Sequence, residues 1–383
     1  MNNTIEQLLG IAPATTSPEN RHIDFSLIFF SDIRTDISNK RKYDFIRDLV
    51  IFGDKSNFIA TYFPERHFHE FGAIFANPAL LAAYLIPQTS NIRFRTAGIS
   101  LPLHHPAEIV EWWAMNDILS GGRIDLGFGS GWHKTDFIYA PDNYDDRRAI
   151  CSAQIPLIQE LWQGEEVKFT GPDGIDVAVK IHPQPLQKQL NIWLLVSKSD
   201  EGFRYAGRKG YNVFTMLYGN NLSAMADKIA IYRQARQEAG LDPHEGKVTL
   251  MLHTLIHPDV DMIRNVVEKP FKAYIKSALD AHIQAVPTEL GLQQANVSEA
   301  EKAKMLDYAY HRYFNTAALF GSVDDGHRMI AQAKSAGVDE IACLMDFGVD
   351  YPIVMDSLKY LKQLTSHYHK KGQGIGIGSG KYE

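Results

Sequence analysis

Short apolar runs alternate along this chain with stretches that are apolar every three to four residues, the pattern of strands followed by amphipathic helices. Ile23 to Phe30 predicts the first strand, and Tyr43 to Asp54, apolar at 46, 49, 50 and 53, the first helix. Phe58 to Phe63 predicts the second strand. Asn77-Pro78 then caps a helix that Pro87 should end. Ile92 to Ser100 and Ile124 to Phe128 predict the third and fourth strands, with a helix over Ala107 to Leu119 between Pro106 and Gly121-Gly122. The alternation continues with a helix over Asn143 to Trp162, a strand over Ile192 to Val196, and a helix over Asp200 to Arg208. Val213 to Leu217 is a strand, Leu222 to Ala239 a helix that Gly240 stops, and Val248 to Ile256 the seventh strand. Val260 to Ala285, Glu301 to Phe314 and Asp324 to Ser335 read as helices, Glu340 to Asp346 as the eighth strand, and Ile353 to Gln363 as the last helix. Eight strands in strict alternation with helices predict an α/β chain folded as a (β/α)8 TIM barrel.

Such a barrel needs about 250 residues, so the surplus falls in insertions. Val167 to Gln187, before the fifth strand, reads as an inserted hairpin. Pro287 to Ser298, after the seventh, reads as a lid-type excursion. Residues 1–20, with APATTSPEN, read as a leader or linker, 21–366 as the barrel, and 367–383, ending KKGQGIGIGSGKYE, as a flexible tail. Lys and Arg number 39 against 45 Asp and Glu, a net charge of −6, so no basic field draws nucleic acid or an anionic membrane. The two cysteines, Cys151 and Cys343, lie far apart, and no long apolar run or export signal is present. The expectation is a cytoplasmic protein with neither a disulfide framework nor a cysteine metal site.

In this architecture the chemistry gathers at the carboxyl ends of the strands. The residues there include Glu65-Arg66-His67-Phe68-His69, Gly98 to Ser100 followed by His104-His105, Gly129-Ser130-Gly131-Trp132-His133, Ser197-Lys198-Ser199, Tyr218, His253 and Asp346. Gly129-Ser130-Gly131 and Ser197-Lys198-Ser199 leave adjacent strands, and with a helix start at Asp200 to Phe203 they suit a phosphate. The plainer alternative is that the glycines only permit a tight strand exit. Gly127, Gly129 and Gly131 do not make a dinucleotide fingerprint. Glu65-Arg66-His67 is either a catalytic trio or a structural ion pair. Trp132 could line a planar ligand or fill core. His104 and His105 read as turn-shaping residues before Pro106, and Trp112-Trp113 as helix packing. A metal site at His67 and His69 would need further ligands, for which His253 and Asp346 are available; no metal is assigned.

The motifs FPERHFHEFG at 63–72, Asn77-Pro78, TAGISLPLHHP at 96–106, SGGRIDLGFGSGW at 120–132 with Asp136-Phe137, and PDNYDDRR at 141–148 stand in one order. On them, the chain from about Ile23 to Leu364 resembles the bacterial-luciferase-like flavin-dependent monooxygenases, most closely the subgroup associated with nonribosomal peptide and polyketide biosynthesis. The resemblance implies FMN over the barrel mouth, its phosphate near Gly129, Ser130, Gly131, Ser197, Lys198, Ser199 and Gly202, and its ring by Trp132 and a cis bond at Ala97-Gly98. It implies that reduced FMN and O2 form a C4a-hydroperoxyflavin that oxygenates an organic substrate. Phe30, Trp132, Tyr218 and the lid would keep the site dry, and Glu65, Arg66 and His67 would act as catalytic residues. Two positions depart from the luciferases: Arg66 stands where they carry histidine, and Ser130 where they carry arginine, a charge Lys198 could replace. Partners implied are a separate NAD(P)H-dependent flavin reductase, a carrier-protein-bound acyl or aminoacyl substrate, a nonribosomal peptide or polyketide synthase, and a second copy in a homodimer. Other readings are an F420-dependent hydride-transfer enzyme, a metal-dependent barrel hydrolase using His67, His69, His253 and Asp346, and a non-catalytic flavin-binding protein.

Overall fold

The computed structural model describes residues 22–31, 34–131, 133–217, 221–284 and 299–368. The leader at 1–20, the lid at 287–298, Trp132, Tyr218 and the tail from 369 lie outside them. The strands are β1 (Asp24–Ile28), β2 (Ala60–Phe63), β3 (Arg93–Thr96), β4 (Ile99–Ser100), β5 (Ile124–Gly129), β6 (Val167–Thr170), β7 (Asp176–Val179), β8 (Ile192–Leu195), β9 (Asn212–Met216), β10 (Val248–Ile256), β11 (Ala318–Gly321) and β12 (Glu340–Leu344). Parallel pairing runs from β1 through β2, β3, β5, β8, β9 and β10 to β12, and β12 returns to β1. That closes the eight-stranded barrel and abolishes its edges.

The helices are α1 (Asn39–Lys55), α2 (Pro78–Leu85), α3 (Pro106–Ser120), α4 (Arg147–Trp162), α5 (Asp200–Lys209), α6 (Leu222–Glu238), α7 (Val260–Gln284), α8 (Glu299–Thr316), α9 (Val323–Ser335) and α10 (Tyr351–Ser366). Their ends follow local chemistry. Asn77 Oδ1 accepts the Ala79 and Leu80 amides to start α2. His105 Nδ1 accepts the Ala107 amide to start α3, and Gly121, at φ 71, ends it in the left-handed conformation.

Five features differ from the sequence expectations. The third strand is not continuous: it breaks at Ala97-Gly98, where Gly98 has φ +100, and resumes as β4 against β5. The cis bond expected at Ala97-Gly98 is absent, since among the described residues only His182-Pro183 is cis; glycine's freedom at positive φ makes the bend instead. Strand β11 was missed because four residues carry no readable period, yet it pairs with the upper half of β10. Helix α4 starts at Arg147 rather than Asn143, because Lys134–Tyr139 and Pro141–Asn143 coil as 3-10 turns. The tail begins later than 367, since Tyr368 packs on Phe25 and bonds His327. The hairpin before the fifth barrel strand is present as the antiparallel pair β6–β7.

Inside the barrel, near its amino-terminal end, the core is ionic. Arg95 donates from Nε to Asp125 (2.6 Å), and from Nη1 to Glu340 (2.8 Å) and the Tyr62 hydroxyl (2.9 Å), with the Trp193 ring 4.1 Å from its guanidinium carbon. Glu340 also accepts from Ser26 and Tyr62, and Asp125 from Arg93 and Asn191. Burial opposes the Arg95 charge, but Glu340, Tyr62 and Asp125 outweigh it and hold its pKa well above the ordinary value.

Candidate active site

Two exits lie side by side on the barrel's upper face. β5 and β8 pair in register, Phe128 against Leu194, so Gly129-Ser130-Gly131 and Val196-Ser197-Lys198-Ser199 leave the same rim as neighbours. Where β4 and β5 meet the rim is backbone, with the Leu195 side chain of β8 against Gly98, 3.3 Å from where a Cβ there would stand. A Cβ on Gly129 would find nothing nearer than Gly98 Cα at 3.9 Å, and Gly131, at φ +77, sits against the Phe137 ring, where a Cβ would lie 2.8 Å away. This leaves a shallow floor that a planar group can approach. Ser199 caps α5, accepting the Gly202 amide at 3.1 Å, and Val196 occupies the space a Gly202 side chain would need. Gly202 is therefore a packing glycine whose amide is already engaged, which removes it from the predicted phosphate donors. Lys198 is exposed at the rim, and its carbonyl holds Lys228 Nζ.

The Glu65-Arg66-His67 run divides between two faces. Glu65, 4% exposed, accepts from His67 Nε2 at 2.9 Å and His104 Nε2 at 2.5 Å, both on Oε1, and from the Ser100 amide on Oε2. Burial pushes its carboxyl up, but the hydrogen bonds from His104 and His67 bring it down to about 2. His104, assigned above only to shape a turn, is Glu65's strongest partner; burial lowers its pKa, yet Glu65 and Glu108 raise it on balance. A periodicity argument could not find this pair, since Glu65 and His104 meet only through the pairing of neighbouring strands.

Arg66 faces the other way. Its guanidinium carbon lies 5.7 Å from the Phe30 ring centroid, its Nη1 donates to the Glu65 carbonyl, and burial depresses its pKa against Asp136, Tyr274 and Glu65. Asp136 belongs to a further cluster not assembled from sequence. His69 and His133 stack edge-on with ring centroids 3.8 Å apart, and His69 Nε2 lies 4.0 Å from Asp136 Oδ1, an oxygen with no hydrogen-bond partner among the described residues. Burial pushes the Asp136 carboxyl up to about 6. The signal for this cluster was the histidine after Trp132 and the acid three residues on.

The metal-ligand set considered from sequence does not come together. Among the described residues only His69, His133 and Asp136 bring three ligand-type atoms within 4.8 Å. Even there, the Thr135 amide donates to His133 Nδ1, which leaves the proton of the neutral ring on Nε2. Asp346 takes the Phe30 and Ser31 amides, and Ser31 stands at φ 63. His253 is enclosed edge-on by Phe271, Tyr274 and Phe347, and burial drops its pKa to about 3. Trp113 is core, as expected, whereas Trp112 packs edge-on against His104.

Fold and rim together define an α/β barrel with a glycine-lined site at the carboxyl ends of its strands. The family model for luciferase-like monooxygenase matches residues 23–340, and the chain belongs to that family. Curated relatives include the oxygenase component of a flavin-dependent trigonelline monooxygenase from Acinetobacter baylyi, 28% identical over 46% of this chain and 49% of that one. An alkanal monooxygenase alpha chain from Photobacterium leiognathi is 27% identical over 60% and 65%. An F420-dependent hydroxymycolic acid dehydrogenase from Mycobacterium tuberculosis is 30% identical over 43% and 46%. The chain thus spans between about half and two-thirds of the length of these relatives. Among solved structures, monooxygenase RslO1 from Streptomyces bottropensis superposes with TM-score 0.75 at 20% identity over 91% of this chain and all of that one. The oxygenating constituent of 3,6-diketocamphane monooxygenase from Pseudomonas putida, in complex with FMN, gives 0.70 at 16% identity over 89% and 97%. Among the described residues, no helix is long and apolar enough to cross a membrane.

Proposed function

We propose that this chain is an FMN-dependent monooxygenase that uses reduced flavin and O2 to oxygenate an organic substrate. The observation that carries the reading is the shared rim of β4, β5 and β8, with open backbone at Gly129, Gly98 beside it, and the Ser199-capped start of α5 next to them. These residues fit the group: the floor suits a flat ring, and Ser130, Ser197, Lys198 and Ser199 suit a phosphate. Bound FMN, once reduced, supplies the activation of O2 and the transfer of one oxygen atom. The chain's own part is positioning and exclusion of water. Arg66 presents a cation to an anionic oxygen at the mouth, Phe30 and Phe71 wall it, and Glu65 holds His67 by a hydrogen bond.

The substrate class we favour is an acyl or aminoacyl group tethered to a carrier protein of a nonribosomal peptide or polyketide synthase, in cytoplasmic secondary metabolism. Reduced flavin comes from a separate NAD(P)H-dependent reductase. The chain acts as a homodimer, since Leu80 and Tyr84 on α2 and Met115, Ile118 and Leu119 on α3 expose apolar surface side by side.

The test is titration of the full chain with FMN and with F420, in both redox states, followed by turnover with and without O2. Tighter FMN binding and oxygen-dependent product are expected. Uptake of F420 alone, or turnover without O2, would replace the reading with hydride transfer. FMN binding with reduced flavin oxidised no faster than in free solution would make the protein a flavin carrier. His67→Ala should raise the hydrogen peroxide released per flavin oxidised; unchanged coupling would remove His67 from the site.

A further inference from the structure

A cleft of about 460 Å³ opens between the start of α2 and the first half of α3, with Ile99 of β4 at its inner wall. Its walls are mainly apolar, from Ile99, Leu103, Ile109, Trp112 and Tyr139. Besides Asn77 and the Tyr139 hydroxyl, its polar lining is a run of four side chains from surface to interior: Glu108, His104, Glu65 and His67. Glu108 is the solvent end, its side chain 46% exposed, with Oε2 3.7 Å from His104 Nδ1. His104 Nε2 reaches Glu65 Oε1 at 2.5 Å, and His67 Nε2 reaches the same oxygen at 2.9 Å. The His67 and Glu65 side chains are 8% and 3% exposed, and both act electrostatically on the buried Asp136 at the mouth. Carboxylate and imidazole alternate from surface to interior, which a packing role alone would not require.

We propose that this cleft is a side entrance for protons, and that Glu108, His104, Glu65 and His67 conduct them from solvent to the mouth without passing the substrate opening. The inference rests on the oxygenase reading only for the use made of the protons: oxygenating a neutral substrate with anionic reduced flavin and O2 takes up one proton for each water released. The steps balance without electron transfer. His104 gains a proton at Nδ1 from Glu108, which is reprotonated by water, and releases its Nε2 proton to Glu65 Oε1. Oε1 passes a proton to His67 Nε2 when that nitrogen is bare, and His67 releases one from Nδ1 towards the mouth; a flip of each imidazole then returns His104 and His67 to their starting tautomers for the next proton. The groups facing His104 are Glu65 from the β2 loop, and Glu108 and the uncharged Trp112 ring from α3. Beyond His67, the charges at the mouth are Arg66 and Asp136. Burial and its partners leave the His104 pKa raised, so it holds a proton to pass.

The test uses the full chain without flavin, so that its outcome stands apart from that of the FMN titration. Exchange of the His67 ring proton with water is read by imidazole 15N NMR in the wild type, Glu108→Gln, His104→Gln and Trp112→Phe. Slowing of about tenfold or more is expected in the first two variants, with little change in Trp112→Phe, which alters the cleft wall but no titratable group. Added imidazole should restore exchange in His104→Gly. Unchanged exchange in both Glu108→Gln and His104→Gln, or equal slowing in Trp112→Phe, would overturn the proposal. In the flavin-loaded protein, Glu108→Gln should shift the pH profile of product formation; an unshifted profile with slowed exchange would limit the path to the resting protein and overturn its catalytic use.

Discussion

The two ends of the barrel treat charge in opposite ways. At the amino-terminal end, Arg95 is enclosed by Asp125, Glu340, Tyr62 and the Trp193 ring, and each carboxylate has further donors. At the carboxyl end, Glu65 ties two imidazoles to one oxygen, Arg66 is pushed down by burial, and Asp136 keeps an oxygen without a hydrogen-bond partner among the described residues. The first arrangement fixes a structure. The second keeps protons and charges available, which is where stability is given up for chemistry.

The largest expected effect breaks the comparison at its saturated end. Arg95→Met leaves Glu340 buried without its cation and Asp125 with Arg93 alone, and should cost about 3–5 kcal/mol, read as the shift in urea midpoint. Arg66→Met removes a cation that burial already disfavours, and should change stability by no more than about 1 kcal/mol while impairing oxygen-dependent turnover. Equal losses in the two variants would mean that the ends are not distinct.

Next comes the acid at the mouth. Asp136 has its folded pKa raised to about 6, so its stabilising contribution is present below the unfolded carboxyl pKa and is lost as pH rises through the folded one. Asp136→Asn cannot ionise and should gain stability relative to the wild type between pH 4 and 7, reaching about 2–3 kcal/mol. A difference that does not vary with pH would show that the carboxyl is already ionised in the fold.

The barrel was legible in sequence because each strand and helix announces itself within a dozen residues. The alternation from Ile23 to the last helix needed no tertiary information, nor did the caps at Asn77 and Gly121. What failed were short or tertiary features: β11 is too brief to show a period, and the bend at Gly98 was assigned to a cis bond when positive φ suffices. The candidate site was half legible. The positions of Glu65 and His67 just after a strand could be read from sequence, and so could the neighbouring exits of β5 and β8 from strand order. His104 and the His69, His133 and Asp136 cluster were not assembled, because residues 39 or 67 positions apart meet only once the barrel closes.

A smaller effect sharpens the comparison within the mouth. Glu65 is brought down to about 2, so its contribution is present above the unfolded carboxyl pKa and lost as pH falls towards 2. His104 is raised, so its contribution is present below the unfolded imidazole pKa and lost as pH rises through the folded one. The pair is therefore fully stabilising between about pH 4.5 and 6.5. His104→Gln should remove about 1–2 kcal/mol in that window and flatten the pH dependence on both sides, measured as denaturation midpoint against pH. A loss that is the same at pH 5 and pH 9 would assign His104 to packing alone.

The smallest expected effect concerns the rim. Lys198 is exposed at the β8 exit, beside the Ser199 cap and across from Ser130, and a charge so placed acts on a bound phosphate through water. Lys198→Ala should weaken FMN binding by about 0.5–1 kcal/mol, a few-fold in Kd, with folding stability unchanged. Because the attraction is screened, the loss should be greatest at low ionic strength and shrink as salt approaches a Debye length of about 8 Å. Riboflavin, which has the ring but not the phosphate, should bind both proteins alike. If riboflavin binding falls as much as FMN binding, Lys198 acts on the ring or the loop, and the phosphate must be held from another part of the rim.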